Sequence, residues 1–255
     1  MKKPRRKTEG YNEALRSLSV VIPAYNEEKR LLATLQQVER YLDDSGWTPY
    51  EILVVDDGST DGTPALVRAF AEDHPEVRLL RNPGNRGKGY SVRHGMLAAV
   101  GEWRLFTDAD LSAPIAEIDK LRKGIEEHGA DVAIGSRALD RSLIQIHQSA
   151  LRENAGRLFN LFLRFVTGLD FWDTQCGFKL FRAEAAQRIF SKQLMERFGF
   201  DAEILYLAKK YGFKTVEIPV RWAHADGTKV NMISDSLDMF FDLFLIRWND
   251  LKGRY

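Results

Sequence analysis

The 255-residue sequence contains little cysteine, almost no net charge and no long apolar run. Its single cysteine, Cys176, excludes an internal disulfide framework and a zinc site built from several thiolates of this chain, and it favours a reducing, cytoplasmic compartment. With 37 basic and 36 acidic residues the chain has no general basic field, so no nucleic-acid partner is expected. No apolar run reaches the roughly 18 residues that a membrane-spanning helix requires.

The first 17 residues are predicted to form a basic arm. Met1–Lys7 carries five basic residues, and the polar segment Thr8–Glu13 that follows is not typical of a secretory signal. Two interpretations remain open for the arm: a solvated segment, or an electrostatic tether to anionic lipid in which each basic residue contributes about 1 kcal/mol.

The rest of the chain has the composition of a globular protein, with 44% apolar residues, and its first half alternates short apolar strands with helices. Strands are predicted at 18–22, 51–55, 77–80, 103–107 and 132–136, and helices at 28–42, from Pro64, at 89–100 and at 115–128. Such alternation predicts an α/β fold with a mixed, mainly parallel sheet and helices on both faces. We expect one domain at 18–232, followed by an amphipathic helix at 233–255 that packs on the domain or on a membrane.

Acidic residues follow three of the predicted strands. They lie in the segments Pro23–Glu27, Asp56–Asp61 and Asp108–Asp110. Because ligands of open α/β sheets bind beyond the carboxyl ends of the strands, these carboxylates are expected to meet at one edge, where a divalent cation would relieve their repulsion. Asp108 and Asp110, two residues apart, are therefore candidate ligands of Mg²⁺ or Mn²⁺, although an Asp-x-Asp alone is also typical of turns and helix caps.

Several motifs resemble the inverting family-2 glycosyltransferases, which have the Rossmann-like GT-A fold. The segments that carry this resemblance are VVIPAYNE at 20–27, VVDDGSTDG at 54–62, NPGNRGKG at 82–89 and DADL at 108–111. In the second half, DTQCGFK at 173–179 is similar to the polyprenyl-phosphate branch, which includes dolichyl-phosphate β-glucosyltransferases and dolichyl-phosphate mannose synthases. The resemblance covers nearly the whole chain, from about residue 18 to 248. It implies transfer of a sugar from a nucleotide-sugar to a polyprenyl or dolichyl phosphate.

The resemblance also implies a donor site. It places Asp57 against the base or ribose, and Asp108 and Asp110 beside the ribose, the diphosphate and the metal. The nucleoside pocket would be lined by Pro23, Ala24, Tyr25 and Glu27. Lys88, in a glycine-rich loop, either contacts the diphosphate or belongs to a purely structural turn. The closer resemblance to the glucosyltransferases makes UDP-glucose the preferred donor and GDP-mannose the alternative. Ser112 stands where the mannose synthases often carry glutamine, which weakens the resemblance to that group.

An acceptor-phosphate site is implied by the same branch. Arg137 and Arg152 would hold the phosphate, since the planar guanidinium gives bidentate, charge-assisted bonds, and Lys179 is a third candidate. Two exposed surface arginines are the structural alternative. Asp173 is predicted to be an acid–base group, an orienting residue or a helix cap, and it completes a catalytic set with Asp110, Arg137 and Arg152.

Two segments combine apolar stripes with basic residues. The first stripe comprises Leu151, Ala155, Leu158, Phe162, Phe165 and Leu169, and the second comprises Ile233, Leu237, Phe240, Phe241, Phe244 and Trp248. Such stripes are most often core, but further apolar residues and Arg157, Arg164 and Arg247 favour two interfacial helices on the inner face of the membrane. A relative with a soluble hydroxyl acceptor remains an alternative; it would need a general base and no membrane. A nucleotidyltransferase is less favoured, because PAYNE lacks its glycine-rich basic loop.

Overall fold

The computed structural model describes residues 17–146, 150–224 and 234–255, with the side chains of 150–155 and 234–237 left undescribed. The strands are β1 (Leu18–Ala24), β2 (Tyr50–Asp56), β3 (Val77–Arg81), β4 (Trp103–Thr107), β5 (Val132–Ser136), β6 (Ile144–Ile146), β7 (Phe178–Arg182), β8 (Thr215–Pro219) and β9 (Trp222–Ala223). The helices are α1 (Leu31–Asp44), α2 (Thr63–Asp73), α3 (Lys88–Ala98), α4 (Ile118–His128), α5 (Ala150–Thr167), α6 (Ala183–Lys192), α7 (Phe200–Lys210) and α8 (Ser234–Leu251).

Seven strands form one mixed sheet in the order β3-β2-β1-β4-β7-β5-β8. Only β7 is antiparallel to its neighbours β4 and β5, so the carboxyl ends of the six parallel strands share one edge. The chain reverses its order beside β1, where β2 lies on one side and β4 on the other. This reversal opens the crevice in which α/β proteins bind ligands.

Successive side chains of each strand point to opposite faces of the sheet, and this divides the core into two layers. Val20 and Ile22 face the layer covered by α1, α2 and α4, whereas Val21 faces the layer covered by α3, α6 and α7. All three side chains are fully buried. Because both faces are covered, the central strands consist of apolar runs, as the sequence analysis predicts for a parallel sheet.

The predicted mainly parallel sheet is confirmed, and the five predicted strands agree with β1 to β5 to within two residues at each end. The antiparallel strand β7, helices α6 and α7 and strands β8 and β9 had no individual prediction, whereas α8 lies within the helix predicted at 233–255. Beyond the main sheet, the short strand β6 pairs with β9. Residues 1–16, most of the predicted basic arm, lie outside the described residues.

Helices α5 and α8 pack against each other, and Phe162 of α5 stacks on Phe240 of α8 with a ring-centroid distance of 4.3 Å. Among the described side chains of these helices, the apolar ones buried in the core are Leu163, Leu243 and Ile246. The predicted stripes are divided between two environments where their side chains are described. Leu169 is buried, whereas the exposed members are Leu158, Phe165, Phe241, Phe244 and Trp248. No described helix is long and apolar enough to cross a membrane.

Candidate active site

Loops after β1 and β2 form one wall of the crevice at the carboxyl edge. Asn26 joins the two loops, because its backbone N–H donates to Ser59 Oγ at 2.9 Å and its side-chain oxygen accepts from Thr60 N at 2.8 Å. The backbone N–H of Glu27 donates to Thr63 Oγ1 at 2.7 Å. These bonds position the predicted nucleoside-pocket residues, of which Ala24 is buried and Pro23, Tyr25 and Glu27 are half-buried.

Asp57 anchors the glycine-rich loop. Its carboxylate accepts from Asn82 Nδ2 at 2.7 Å, Arg86 N at 3.0 Å and Gly87 N at 2.8 Å. An ionised carboxylate offers about four acceptor positions, so this loop uses most of them. The geometry therefore gives Asp57 a positioning function for the loop that leads to Lys88, and its predicted contact with the base or ribose stays a prediction.

Asp108 and Asp110 follow β4 at the reversal point of the sheet. Asp108 Oδ1 lies 2.5 Å from Lys88 Nζ, and Asp110 Oδ2 lies 4.0 Å from Arg30 Nη1. Both carboxylates are partly exposed, by 34% and 27%. Burial opposes the charge of Lys88, but Asp108 and Asp201 outweigh that effect and raise its pKa. The two carboxylates therefore stabilise the charged form of Lys88 at this edge.

The backbone around these carboxylates is constrained. Leu111 has φ of +47° and Asn26 has φ of +54°, and they are the two non-glycine residues with positive φ in the described part of the chain. A leucine in this conformation costs about 1 kcal/mol or more, and such costs concentrate at functional sites. Gly177 packs so closely that a Cβ there would overlap the Asp108 carboxylate. The left-handed backbone of Leu111 and the close packing of Gly177 thus both constrain the Asp-x-Asp turn.

Two carboxylates with accessible oxygens fit a hard divalent cation that shares its remaining positions with diphosphate oxygens. Among the described residues no group of three or more His, Cys, Asp or Glu side chains is arranged to hold a metal without such help. The donor set therefore fits Mg²⁺ or Mn²⁺ when a diphosphate is bound beside it.

On the other side of the crevice, Arg137 and Asp173 form a bidentate pair. Arg137 Nε donates to Asp173 Oδ2 at 2.7 Å and Nη2 donates to Oδ1 at 2.8 Å; Arg137 N also donates to Oδ2. Burial alone would raise the pKa of Asp173, but the larger effect of Arg137 lowers it. Burial alone would lower the pKa of Arg137, but the larger effect of Asp173 raises it. The pair is fully ionised, and Arg137 keeps 28% of its side chain exposed.

Asp173 is a positioning residue in this geometry. Gln175 N donates to its carboxylate at 3.2 Å, so with the three bonds from Arg137 the carboxylate accepts four hydrogen bonds, about as many as an ionised carboxylate can. The backbone N–H of Asp173 donates to Glu217 Oε1 at 2.8 Å. No helix begins within the described segment around it, so the helix-cap interpretation is wrong. An acid–base function is also disfavoured, because its acceptor positions are used and its pKa is lowered.

The structure corrects the assignment of Lys179 to the acceptor phosphate. Its side chain is fully buried, and Nζ donates to Cys176 O at 2.8 Å and to the Asp201 carboxylate. An ammonium enclosed with a carboxylate partner is not available to a phosphate from solution.

Burial raises the pKa of the Cys176 thiol to about 12, so this cysteine is not a nucleophile. The Arg152 side chain lies outside the described residues, and its assignment stays a prediction.

Sequence reasoning missed Asp201, Glu203 and Glu217. Glu203 is fully buried and accepts from Leu194 N and Met195 N, which fixes the segment beside the glycine-rich loop. The signal available in the sequence was the acidic pair of Phe200–Lys210 within an otherwise apolar run.

Comparison with known proteins identifies close and distant relatives. The glycosyl transferase family 2 model matches residues 19–190. Dolichyl-phosphate beta-glucosyltransferases of Dictyostelium discoideum, Homo sapiens and Saccharomyces cerevisiae are 37%, 36% and 38% identical over 92%, 96% and 93% of this chain. The matches cover 75%, 79% and 76% of those relatives.

Among solved structures, glucosyl-3-phosphoglycerate synthase of Mycobacterium tuberculosis, in complex with Mn²⁺, UDP and glucosyl-3-phosphoglycerate, matches with a TM-score of 0.66 at 21% identity. The match covers 95% of this chain and 86% of that chain. A mannosyltransferase of Pyrobaculum calidifontis with GDP-Man and Mn²⁺ matches with a TM-score of 0.55 at 19% identity, over 83% and 57% of the two chains. These likenesses confirm the expected GT-A fold.

Proposed function

The chain belongs to glycosyl transferase family 2 and is a hexosyltransferase, and on that premise we propose that it moves glucose from UDP-glucose to a dolichyl or other polyprenyl phosphate. The similarity to dolichyl-phosphate beta-glucosyltransferases across more than nine-tenths of the chain carries this proposal. The ionised Arg137–Asp173 pair also supports it, because Arg137 is close enough to Asp108 for that carboxylate to help raise its pKa.

The chemistry is an inverting displacement at the anomeric carbon. A phosphate oxygen of the acceptor forms the new C1–O bond, while the bond from C1 to the diphosphate breaks and releases UDP with its electron pair. A phosphate monoester has a second pKa of about 6 and is largely ionised near neutrality, so the reaction needs no strong general base. This fits a site in which Asp173 is occupied by Arg137.

The main task of the protein is to bring two anions together. Arg137, assisted by Arg152, holds the acceptor phosphate, and Lys88 contacts the donor diphosphate. Asp108 and Asp110 would hold Mg²⁺ or Mn²⁺, and the bound cation would neutralise charge on the leaving diphosphate. Positioning and charge neutralisation are the sources of rate enhancement available to such a site.

A lipid acceptor requires the enzyme to lie against a membrane, and we assign this contact to the outer faces of α5 and α8. Phe241, Phe244, Leu245 and Trp248 recur at helical spacing on α8 and are all exposed, as are Leu158, Leu161 and Phe165 on α5. Arg164 stacks over Trp172 and Lys252 over Trp248, at 4.4 and 4.7 Å. Apolar faces flanked by aromatic and basic residues are typical of helices that lie in the membrane interface. The expected location is peripheral, on the cytoplasmic face.

A transfer assay tests donor and acceptor together. Purified protein with Mn²⁺ or Mg²⁺ receives radiolabelled UDP-glucose or GDP-mannose and either a short polyprenyl phosphate or the matching polyprenol. Label entering the organic phase only with UDP-glucose and the phosphate supports the proposal. Transfer from GDP-mannose alone would instead show a mannosyltransferase, and equal transfer to the polyprenol would show a hydroxyl acceptor. No transfer from a folded protein with either donor would refute the proposal.

A further inference from the structure

The carboxylates assigned to the metal already have cationic partners from this chain. Lys88 Nζ contacts Asp108 Oδ1, and the Lys88 side chain is 20% exposed, so the ion pair lies at the boundary between the protein and the crevice. Asp201, held by the buried Lys179, adds a second negative group near Lys88. Without any ligand, the charge of Asp108 is therefore neutralised from within the chain.

The backbone that carries Lys88 is fixed, whereas its side chain is not. Lys88 is the first residue of α3; Gly87 N donates to Asp57, and Tyr90 N donates to Glu196 O at 2.9 Å. Gly89 packs so tightly against the backbone of Met195 that no Cβ would fit. A lysine has a flexible four-carbon stem, so its ammonium can move while its Cα stays in place.

A lysine ammonium and a divalent cation compete for the same oxygen. Two cations within contact distance of one carboxylate repel each other strongly at the edge of a protein, where the effective dielectric is low. A diphosphate bound beside Asp108 offers several anionic oxygens, and an ammonium that leaves Asp108 gains a new partner there.

We propose that Lys88 is an exchangeable internal cation, which neutralises Asp108 in the empty enzyme and transfers to the donor diphosphate when a divalent cation takes its place. This inference rests on the proposed function and deepens it. Because Lys88 competes for Asp108, a divalent cation alone binds weakly. A bound diphosphate accepts the displaced ammonium, and a bound cation releases it from Asp108. Each ligand therefore increases the affinity of the enzyme for the other.

The variant Lys88→Met tests the exchange, because it keeps the length of the stem and removes the charge. We expect Mn²⁺ alone to bind this variant about three- to tenfold more tightly than wild type, the range expected for removing one partly exposed charge pair. UDP in saturating Mn²⁺ should bind the variant more weakly, and the mutual enhancement between Mn²⁺ and UDP should shrink. Isothermal titration of Mn²⁺ with and without UDP measures all three quantities without turnover.

Arg86→Gln is the matched control. Arg86 lies two residues away in the same loop and carries the same charge, but it pairs with Glu196 instead of Asp108. Its loss should leave the affinity for Mn²⁺ alone within about twofold of wild type, as for a surface charge.

Three outcomes would contradict the exchange. If both variants bind Mn²⁺ more tightly by the same factor, the gain comes from removing any positive charge near the site, and the exchange is wrong. If Lys88→Met leaves metal-only binding unchanged while UDP still promotes Mn²⁺ binding, the exchange is wrong and the metal site stands. If wild type binds no Mn²⁺ even with UDP, both the metal assignment and the exchange are overturned.

Discussion

The donor side and the acceptor side of the crevice are held together in different ways. The donor-side bonds join residues of the quoted motifs: Asn26 bonds with Ser59 and Thr60, and Asp57 accepts from Asn82 and Gly87. On the acceptor side, Asp173 of the DTQCGFK motif is bonded to two residues outside any quoted motif, Arg137 and Glu217 of β8. The motifs therefore predict the donor side, whereas the partners on the acceptor side are identified only when the fold brings them together.

The largest effect is expected for a carboxylate assigned to the metal, compared with an ordinary carboxylate of the surface. Asp110→Ala removes one of two carboxylates assigned to the cation, and we expect transfer to fall by roughly a hundred- to thousandfold, as when one transition-state-stabilising group is lost. Initial rates in the transfer assay and titration of Mn²⁺ with UDP measure the effect.

Asp44→Ala is the control for this variant. Asp44 is an exposed carboxylate in α1, at the amino-terminal end of the strands, and its loss should leave the rate unchanged. A normal rate for Asp110→Ala would remove the metal assignment of the donor side.

The second prediction tests whether the acceptor side works independently of the donor side. Arg137→Ala should raise the KM for polyprenyl phosphate and lower kcat/KM by roughly ten- to a hundredfold, the range for a charge-assisted bidentate contact. The KM for UDP-glucose should change little, because the guanidinium of Arg137 bonds to Asp173 and lies over Trp222, and neither residue belongs to the donor loops named above. Equal losses for both substrates would contradict the separation of the two sides.

The limits of sequence reasoning follow from the same contrast. Strands β1 to β5 are apolar runs with adjacent turn signals, so their positions and the acidic edge could be predicted from local patterns. Strand β7 could not, because its antiparallel pairing depends on where the chain returns after α5. Lys179 was misassigned for that reason: it lies in β7 with its ammonium in the core against Asp201, and nothing near it in sequence reveals that partner. The apolar positions of α5 can be listed from the sequence, but only the packing of the folded chain distinguishes the buried Leu163 from the exposed Phe165.

The third prediction concerns the point at which the two sides touch. Gly177 belongs to the acceptor-side motif and packs against Asp108 of the donor side. Gly177→Ala should displace the Asp108 carboxylate and weaken binding of Mn²⁺ with UDP by about tenfold, close to the loss of one charge-assisted contact.

Gly156→Ala is its control, because a Cβ at Gly156 meets open space in α5. This substitution should leave metal binding unchanged and stabilise the protein by about 0.5–1 kcal/mol, since alanine is the better helix former. Unchanged Mn²⁺ binding in Gly177→Ala would show that Asp108 does not depend on the acceptor-side motif.

The smallest expected effect concerns the membrane face that we assign to α5 and α8. The double variant Phe165→Ser/Phe241→Ser should bind vesicles of neutral and anionic phospholipid about tenfold more weakly, because two exposed aromatic side chains no longer enter the interface. Thermal stability should change little, since neither side chain is buried. Cosedimentation with vesicles measures the binding.

Val100→Ser distinguishes membrane contact from general loss of apolar surface. Val100 is 78% exposed but lies just before β4, away from α5 and α8. Its substitution should leave vesicle binding unchanged, so a loss equal to that of the double variant would contradict a specific membrane face. The double variant should also turn over a short, detergent-dissolved acceptor at the wild-type rate, because the crevice is intact. A matching loss with that acceptor would place Phe165 and Phe241 in acceptor binding rather than in membrane docking.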